Sequence, residues 1–400
     1  MGIDLMEWLH LGIRWIHIIT GIAWIGASFY FIWLDMNLTS PEKGGRKDKD
    51  GVGGELWAIH GGGFYEVQKY RVAPPALPAH LHWFKFEAYF TWLSGFVLLT
   101  LLYYFGAEIY LIDRGVADIS SDAAILIGLG SLVGSWIIYD FLCKTPLIRH
   151  QGVFGLVLFL LLTLAAWGLS QVFSGRGAFI HVGAIIGTIM AANVMMVIMP
   201  GQRALVAAAE KEEEPDPTPG LKAKQRSLHN NYFTLPVLFI MISNHYPMTF
   251  GHEFSWLVLA AISAVGVLVR HYFNMKNQGK AKQGMILLPI AFVLFFFIAW
   301  AATPKTEDLS VGPQVPFAAV QQIIENRCAS CHAAKPTNED FETAPKGVKL
   351  ETAAQIAREK TRIRQQTVDT DAMPLGNITE MTEEERKLVG RWIAQGAKTD

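Results

Sequence analysis

Near its C-terminus the chain reads Cys328-Ala-Ser-Cys331-His332. Two thiols at this spacing can add to the two vinyl groups of a porphyrin, and the next imidazole then falls beneath the iron. C-x-x-C-H therefore reads as a covalent c-type haem site with His332 as the proximal iron ligand. A zinc site or a redox dithiol also uses C-x-x-C, but zinc asks for two further Cys or His ligands, and none follows His332. Downstream, Asp371-Ala-Met373-Pro374 offers a thioether on a Met-Pro turn, the expected sixth ligand of the iron. Met381 competes for that role, but it directly precedes Thr382-Glu-Glu-Glu385, a capping box opening a helix through Arg386, Leu388 and Trp392 to a stop near Gly396. Upstream, Phe317, Val320 and Ile324 recur at helical spacing. Residues 317–400 thus read as a small His/Met-ligated cytochrome c domain with one covalent haem c.

The remainder is too apolar for an ordinary soluble protein: 51% of the 400 residues are hydrophobic and 17% charged. Eight runs approach the ~20 residues needed to cross a bilayer, at 9–33, 83–105, 123–142, 152–172, 179–200, 232–248, 254–273 and 284–302. The sixth is short and contains Pro236. Continuous rather than alternating apolarity makes these runs helices, because backbone groups in lipid must be satisfied internally. The expected fold is all-α: a polytopic helical membrane bundle of eight spans over residues 1–303, a Pro- and Gly-containing linker over 304–316, and the C-terminal cytochrome c domain.

The first run has no basic stretch before it, only Asp4 and Glu7, and is too long for the apolar part of a signal peptide. Loops after the odd-numbered spans hold seventeen Lys and Arg, counting Arg46, Lys69, Arg226 and Arg270; those after even-numbered spans hold Arg114 and Arg176. That bias puts the odd loops in the cytoplasm. Both termini and the cytochrome domain then lie in the periplasm, outside a bacterial inner membrane, where c-type haem is attached. The net charge of −1 offers nothing to a nucleic acid. Glu210 to Gly220 reads as a solvated loop, and Cys143 as a small buried hydrophobe.

Eleven histidines remain besides His332, many in or beside spans, where ionisable groups are expensive. His10, His17, His181, His245 and His252 fall towards the periplasm; His60, His80, His82, His150, His229 and His271 fall towards the cytoplasm. His17 lies well inside span one, about 10 Å along the axis from His10 on the same face. Imidazoles on facing helices can hold a haem b in a bundle; an interfacial histidine bonded to a neighbouring carbonyl is the plainer alternative. The first cytoplasmic loop carries Trp57-Ala-Ile-His60-Gly61-Gly62-Gly63-Phe64-Tyr65, then Lys69, Arg71 and His80-Leu-His82-Trp83. Its glycines would let backbone approach a flat ligand while His, Lys and Arg hold an anion; a tight interfacial turn with an aromatic belt explains it equally. Asn193 and Asn230-Asn231-Tyr232-Phe-Thr234 bring further polar groups to lipid depth.

Four stretches together carry a resemblance: His-Gly-Gly-Gly-Phe-Tyr at 60–65, Leu-His-Trp-Phe-Lys-Phe-Glu at 81–87, His-Val-Gly-Ala-Ile-Ile-Gly-Thr-Ile-Met-Ala-Ala-Asn-Val at 181–194, and His-Asn-Asn-Tyr-Phe-Thr-Leu-Pro at 229–236. With eight spans and a cytochrome c domain, the whole chain resembles the bacterial membrane-bound, cytochrome-c-linked urate oxidases. The resemblance implies hydroxylation of urate to 5-hydroxyisourate, with electrons leaving through haem c to a soluble cytochrome c or terminal oxidase and no peroxide formed. The candidate catalytic residues are His60, Lys69, His82 and Asn230. The candidate cofactor-binding residues are Cys328, Cys331, His332, Met373, His17, His181 and His245, with His332, Met373 and His17 on iron. Span one also resembles the first helix of small haem-binding membrane proteins of the coproheme/protoporphyrinogen oxidase type, which favours His17. If urate reacts at the cytoplasmic end, its electrons must cross ~30 Å of hydrocarbon, so a haem b relay is expected. Composition and spacing alone leave open an electron-transfer subunit oxidising quinol for a partner dehydrogenase, and a membrane-tethered carrier whose spans are only an anchor, which would need far fewer of them.

Overall fold

The computed structural model describes residues 5–303 and 309–399. The first five residues of the expected linker, 304–308, lie outside the described residues. Seven described helices are long and apolar enough to cross a membrane: α1 (Leu5–Asn37), α2 (Phe86–Tyr104), α3 (Ser121–Leu142), α4 (Gln151–Ser170), α5 (Gly175–Glu210), and, after α6 (Thr218–Ser243), α7 (Ser255–Asn277) and α8 (Ala281–Ala301). This is a helical membrane bundle. The expected sixth run falls on α6, whose first half, Thr218 to Asn231, is too polar to meet the same measure.

α5 is the central helix. Phe179, Val182, Ile185, Ile186, Ile189 and Met190 are all nearly inaccessible, and α5 packs against α2, α3, α4, α6 and α7. α6 lies between α5, α7 and α1, so its buried Arg226, Asn230 and Asn231 face neighbouring helices. α8 packs on α7 and otherwise presents a sheath of exposed Phe, Val and Trp, as a helix facing lipid does.

One element departs from the all-α expectation. Residues 52–70 form an antiparallel hairpin, β1 (Val52–His60) and β2 (Gly63–Tyr70), in register from Gly54↔Lys69 to His60↔Gly63. Its two-residue turn is Gly61-Gly62, with φ of 58° and 82°, the left-handed pair that a tight hairpin turn demands and glycine adopts without strain. Thr39 adds a bridge to Glu55 through backbone bonds of 2.9 and 2.8 Å. The hairpin hangs from the end of α1 and the start of α2.

After α8 a second apolar core forms around Val320, Ile324, Leu350, Ile356, Met381, Val389 and Trp392. It is closed by α9 (Phe317–Arg327), α10 (Ala353–Arg358) and α11 (Glu383–Ala394). The Thr382–Glu385 capping box is present at the start of α11. This C-terminal unit rests on the bundle. Gly376 approaches the turn after α2 so closely that a Cβ there would lie 2.7 Å from the Ile112 carbonyl oxygen and 3.1 Å from that of Glu108. Ala372 packs against the bundle core. Since α2 begins beside the hairpin and ends beneath this contact, the hairpin and the C-terminal unit occupy opposite ends of a 19-residue helix, roughly 28 Å apart along its axis.

Candidate functional site

α6 brings Arg226, His229, Asn230 and Asn231 into the bundle, and the helical period splits them between two sides. Towards α3 and α5, Arg226 donates 2.7 Å to Asp140 Oδ1 and 3.1 Å to Asn193 Oδ1, with its guanidinium over the Tyr139 ring. Asn193 Nδ2 donates to Tyr139 OH (3.0 Å) and to Asn230 Oδ1 (2.8 Å), and Asn230 Nδ2 donates to the Met190 carbonyl at 2.9 Å. Tyr139 OH also shares a 2.8 Å hydrogen bond with His229 Nδ1, whose ring stacks on Phe154. Each named amide group in this network has a partner. Buried polar groups cost little when so satisfied.

Towards α7 the arrangement is different. Asn274 Nδ2 donates to Asn231 Oδ1 at 3.1 Å, and Arg270 donates to Asn274 Oδ1 from Nε (3.3 Å) and Nη2 (3.1 Å). The Arg270 guanidinium lies 4.6 Å from the centroid of Phe29 on α1. Asn231 is fully inaccessible, yet its Nδ2 has no hydrogen-bond partner. Arg226 and Arg270, counted above among loop charges, are in fact 5% and 7% exposed. Sequence reasoning missed both, together with Asp140, Tyr139 and Asn274. For Arg270 a signal existed, because it falls inside the run 254–273, where an ionisable residue is out of place.

The four candidate catalytic residues do not converge. Asn230 lies within the satisfied network. His60 is exposed at the hairpin turn, and His82 is exposed with its ring against Phe84. Lys69 of β2 pairs with Asp35 near the end of α1, which also takes Lys224 of α6 at 3.0 Å. That carboxylate therefore ties the hairpin to two helices. On the ribbon, Lys47 bridges Glu55 and Glu66 across the strands. The Gly44 N–H and the Arg71 guanidinium hold Asp48 below its ordinary range.

The three histidines proposed as cofactor ligands in the bundle, His17, His181 and His245, meet different fates. His17 Nδ1 lies 3.0 Å from the Thr91 carbonyl. A carbonyl only accepts, so Nδ1 carries the proton and Nε2 is left as a lone pair. Gly95 faces that ring; a Cβ there would come within 2.9 Å of it. His181 is buried with both nitrogens occupied: Nδ1–H donates to the Gly177 carbonyl (2.8 Å), and Tyr104 OH donates to Nε2 (3.3 Å). His245 is exposed beyond the end of α6.

In the C-terminal unit Cys328 caps α9 and Cys331 follows on a short turn. Burial pushes the Cys328 thiol up to about 12 and raises that of Cys331 as well. His332 Nδ1 is held 2.9 Å from the Val348 carbonyl, which again leaves Nε2 as the free lone pair. Met373 lies on the loop that docks on the bundle. Its carbonyl, with that of Thr367, accepts a 2.8 Å bond from the buried Arg386 of α11. Met381 is 4% exposed within the apolar core. Burial raises the Tyr110 phenol, at the turn after α2, where Arg176 and Arg14 of the bundle and Asp340 and Cys331 of the C-terminal unit all act on it.

The fold and these sites define a polytopic helical membrane protein with a buried polar belt and a thiol-bearing C-terminal unit. A family model described as urate oxidase N-terminal matches residues 3–303. The chain belongs to that urate-oxidase-related family. Searches among curated proteins and among solved structures gave no match.

Proposed function

We propose that this protein is a membrane-bound urate oxidase that delivers its electrons to a haem c carried on the same chain. Urate and one water give 5-hydroxyisourate, two protons and two electrons. The observation that carries the reading is the presence, in one chain, of a urate-oxidase-family bundle and a C-x-x-C-H unit whose Met373 loop rests on that bundle. Haem c, when bound, supplies one-electron acceptance and passes electrons to a soluble cytochrome c or terminal oxidase. Cys328 and Cys331 would hold its vinyl carbons. His332 is already oriented by Val348 with Nε2 free, as an axial imidazole must be. Arg386 positions the Met373 loop, and Met381 serves the core.

His17 is the residue we assign to a membrane haem b. Its proton sits on the nitrogen facing Thr91, and Gly95 keeps side-chain bulk from the ring. We read residues 1–303 as the urate oxidase domain, 304–316 as the linker and 317–400 as the cytochrome c domain. α6 completes eight spans, its polar face covered by α5, α7 and α1. The charge bias supports a bacterial inner membrane with both termini in the periplasm, and the hairpin and C-terminal unit at opposite ends of α2 agree with it. Among the candidate catalytic residues, Asn230 stands within the buried polar belt, while His60, Lys69 and His82 belong to the hairpin end, where cytoplasmic urate would arrive.

Quinol oxidation is the second reading. An apolar groove of about 420 Å³ between α3 and α4, lined by Ser131, Ser135, Tyr139, Leu162 and Leu169, favours it. One experiment separates the two. Under anaerobic conditions, urate added to the purified haem-loaded protein should reduce the c haem and yield a hydroxylated product. Reduction by a quinol and not by urate would replace the first reading with the second.

A further inference from the structure

We propose that Arg270, Asn274 and Asn231 form a binding site for an anion between α1, α6 and α7. The comparison that carries it lies within the bundle itself. Arg226 and Arg270 are equally buried. Arg226 has the Asp140 carboxylate at 2.7 Å and the Asn193 amide oxygen as a second acceptor. Arg270 has no carboxylate within ion-pair distance among the described residues; its hydrogen bonds go to one neutral acceptor, Asn274 Oδ1, which takes two of them. A buried guanidinium without an anion leaves a cation poorly solvated, and proteins pair such groups.

The orphan donor points the same way independently. Asn231 Oδ1 is occupied by Asn274, which fixes the amide orientation and leaves Nδ2 as the inaccessible donor without an acceptor. An anion accepting from Asn231 Nδ2 and from Arg270 would satisfy both groups at once. The Arg270 guanidinium lies over the Phe29 ring, which backs one face of the fork and leaves its N–H edge to meet an anion. Asn231 Nδ2 and the Arg270 guanidinium are then the donors offered to adjacent oxygens of one ligand.

Two sources share that chemistry. One is the urate anion, and this arm rests on the oxidase reading. The other is a carboxylate on a non-covalent porphyrin. Arg270→Gln, in full-length haem-loaded protein in nanodiscs, separates them. Urate affinity is measured anaerobically by equilibrium dialysis, and b-type haem content by pyridine haemochrome. If urate is the ligand, Arg270→Gln weakens urate binding about tenfold or more, the loss expected on removing a charged hydrogen bond to a buried anion, and Arg270→Lys restores part of it. If the porphyrin is the ligand, urate affinity holds and b-type haem is lost. Wild-type levels of both in Arg270→Gln overturn the site. Should that variant fail to fold, shown by loss of the c-haem spectrum, Asn231→Leu removes only the orphan donor; unchanged urate affinity and haem content there would equally overturn it. Wild-type protein that oxidises urate, with Arg270→Gln indistinguishable from it, leaves the oxidase reading standing and removes only this site. Wild-type protein that binds no urate but loses b-type haem in Arg270→Gln does the reverse.

Discussion

Arg226 and Asp140 stand 86 residues apart in the chain and 2.7 Å apart in the fold, and their pairing is what makes a guanidinium tolerable at that depth. Arg226→Gln would strip Asp140 of this partner while Lys144 remains at 2.6 Å. The cost is therefore expected near the lower end for breaking a buried pair, about 3 kcal/mol, read as a lower melting midpoint in detergent. At the other end of the molecule the two methionines separate by burial. Met381→Ala should cost about 2–5 kcal/mol as a core truncation, with the haem absorption unchanged. On the proposed haem c ligation, Met373→Ala should leave stability nearly intact but lower the midpoint potential of the haem, because a thioether ligand raises it. A Met373→Ala protein with wild-type spectrum and potential would hand the axial role to Met381.

Among the elements, the hairpin is the one most dependent on charge. Asp48 is held low by the Gly44 N–H and by Arg71, Glu66 is held low by Lys47 and Gln68, and Lys47 is held high by Glu55 and Glu66. A carboxylate with a depressed pKa lends stability above its unfolded value, here 3.8 for Asp48 and 4.5 for Glu66, and withdraws it as pH falls through the folded value. An ammonium with a raised pKa lends stability below 10.5 and withdraws it as pH climbs through the folded value. Limited proteolysis between residues 44 and 71 should thus be flat across the neutral range and rise at both extremes. Because these side chains are partly open to solvent, the acid limb should weaken in high salt. Alternating Leu56, Ala58 and His60 against Trp57 and Ile59, around a Gly-Gly step, is a hairpin pattern; reading the glycines as a ligand-approach loop obscured it.

For the whole molecule the decisive contact is the seating of the C-terminal unit on the bundle. Gly376→Val places a branched side chain where even a Cβ would press on the Ile112 and Glu108 carbonyls, at φ 56°, which valine strongly disfavours. The Met373 loop should lift from the turn after α2. The expected result is a c haem with a near-native spectrum, still reducible by a small-molecule donor, but reduced by urate on the order of tenfold to a hundredfold more slowly, the scale of loss that follows from misplacing reacting partners by about an ångström. Wild-type reduction kinetics in that variant would show that the docking contact has no part in electron delivery.

Taken alone, the sequence determined what local pattern can carry: the thiol–thiol–imidazole spacing at 328–332, the apolar runs that became α1 to α5, α7 and α8, and the capping box at Thr382. Each depends on residues within a turn or two of one another, or on the average polarity of about twenty neighbours, and both survive without knowledge of the rest of the chain. The tertiary structure alone decided which polar groups in those runs are matched. Arg226 and Arg270 look alike in sequence, as two basic residues at the margins of the apolar runs 232–248 and 254–273. Only the packing of α6 against α3 and α5 on one side, and against α7 and α1 on the other, gives the first a carboxylate and leaves the second, with Asn231 Nδ2 beside it, short of an acceptor. Satisfaction of a buried charge is a property of pairs, and these pairs are made between helices the sequence holds far apart.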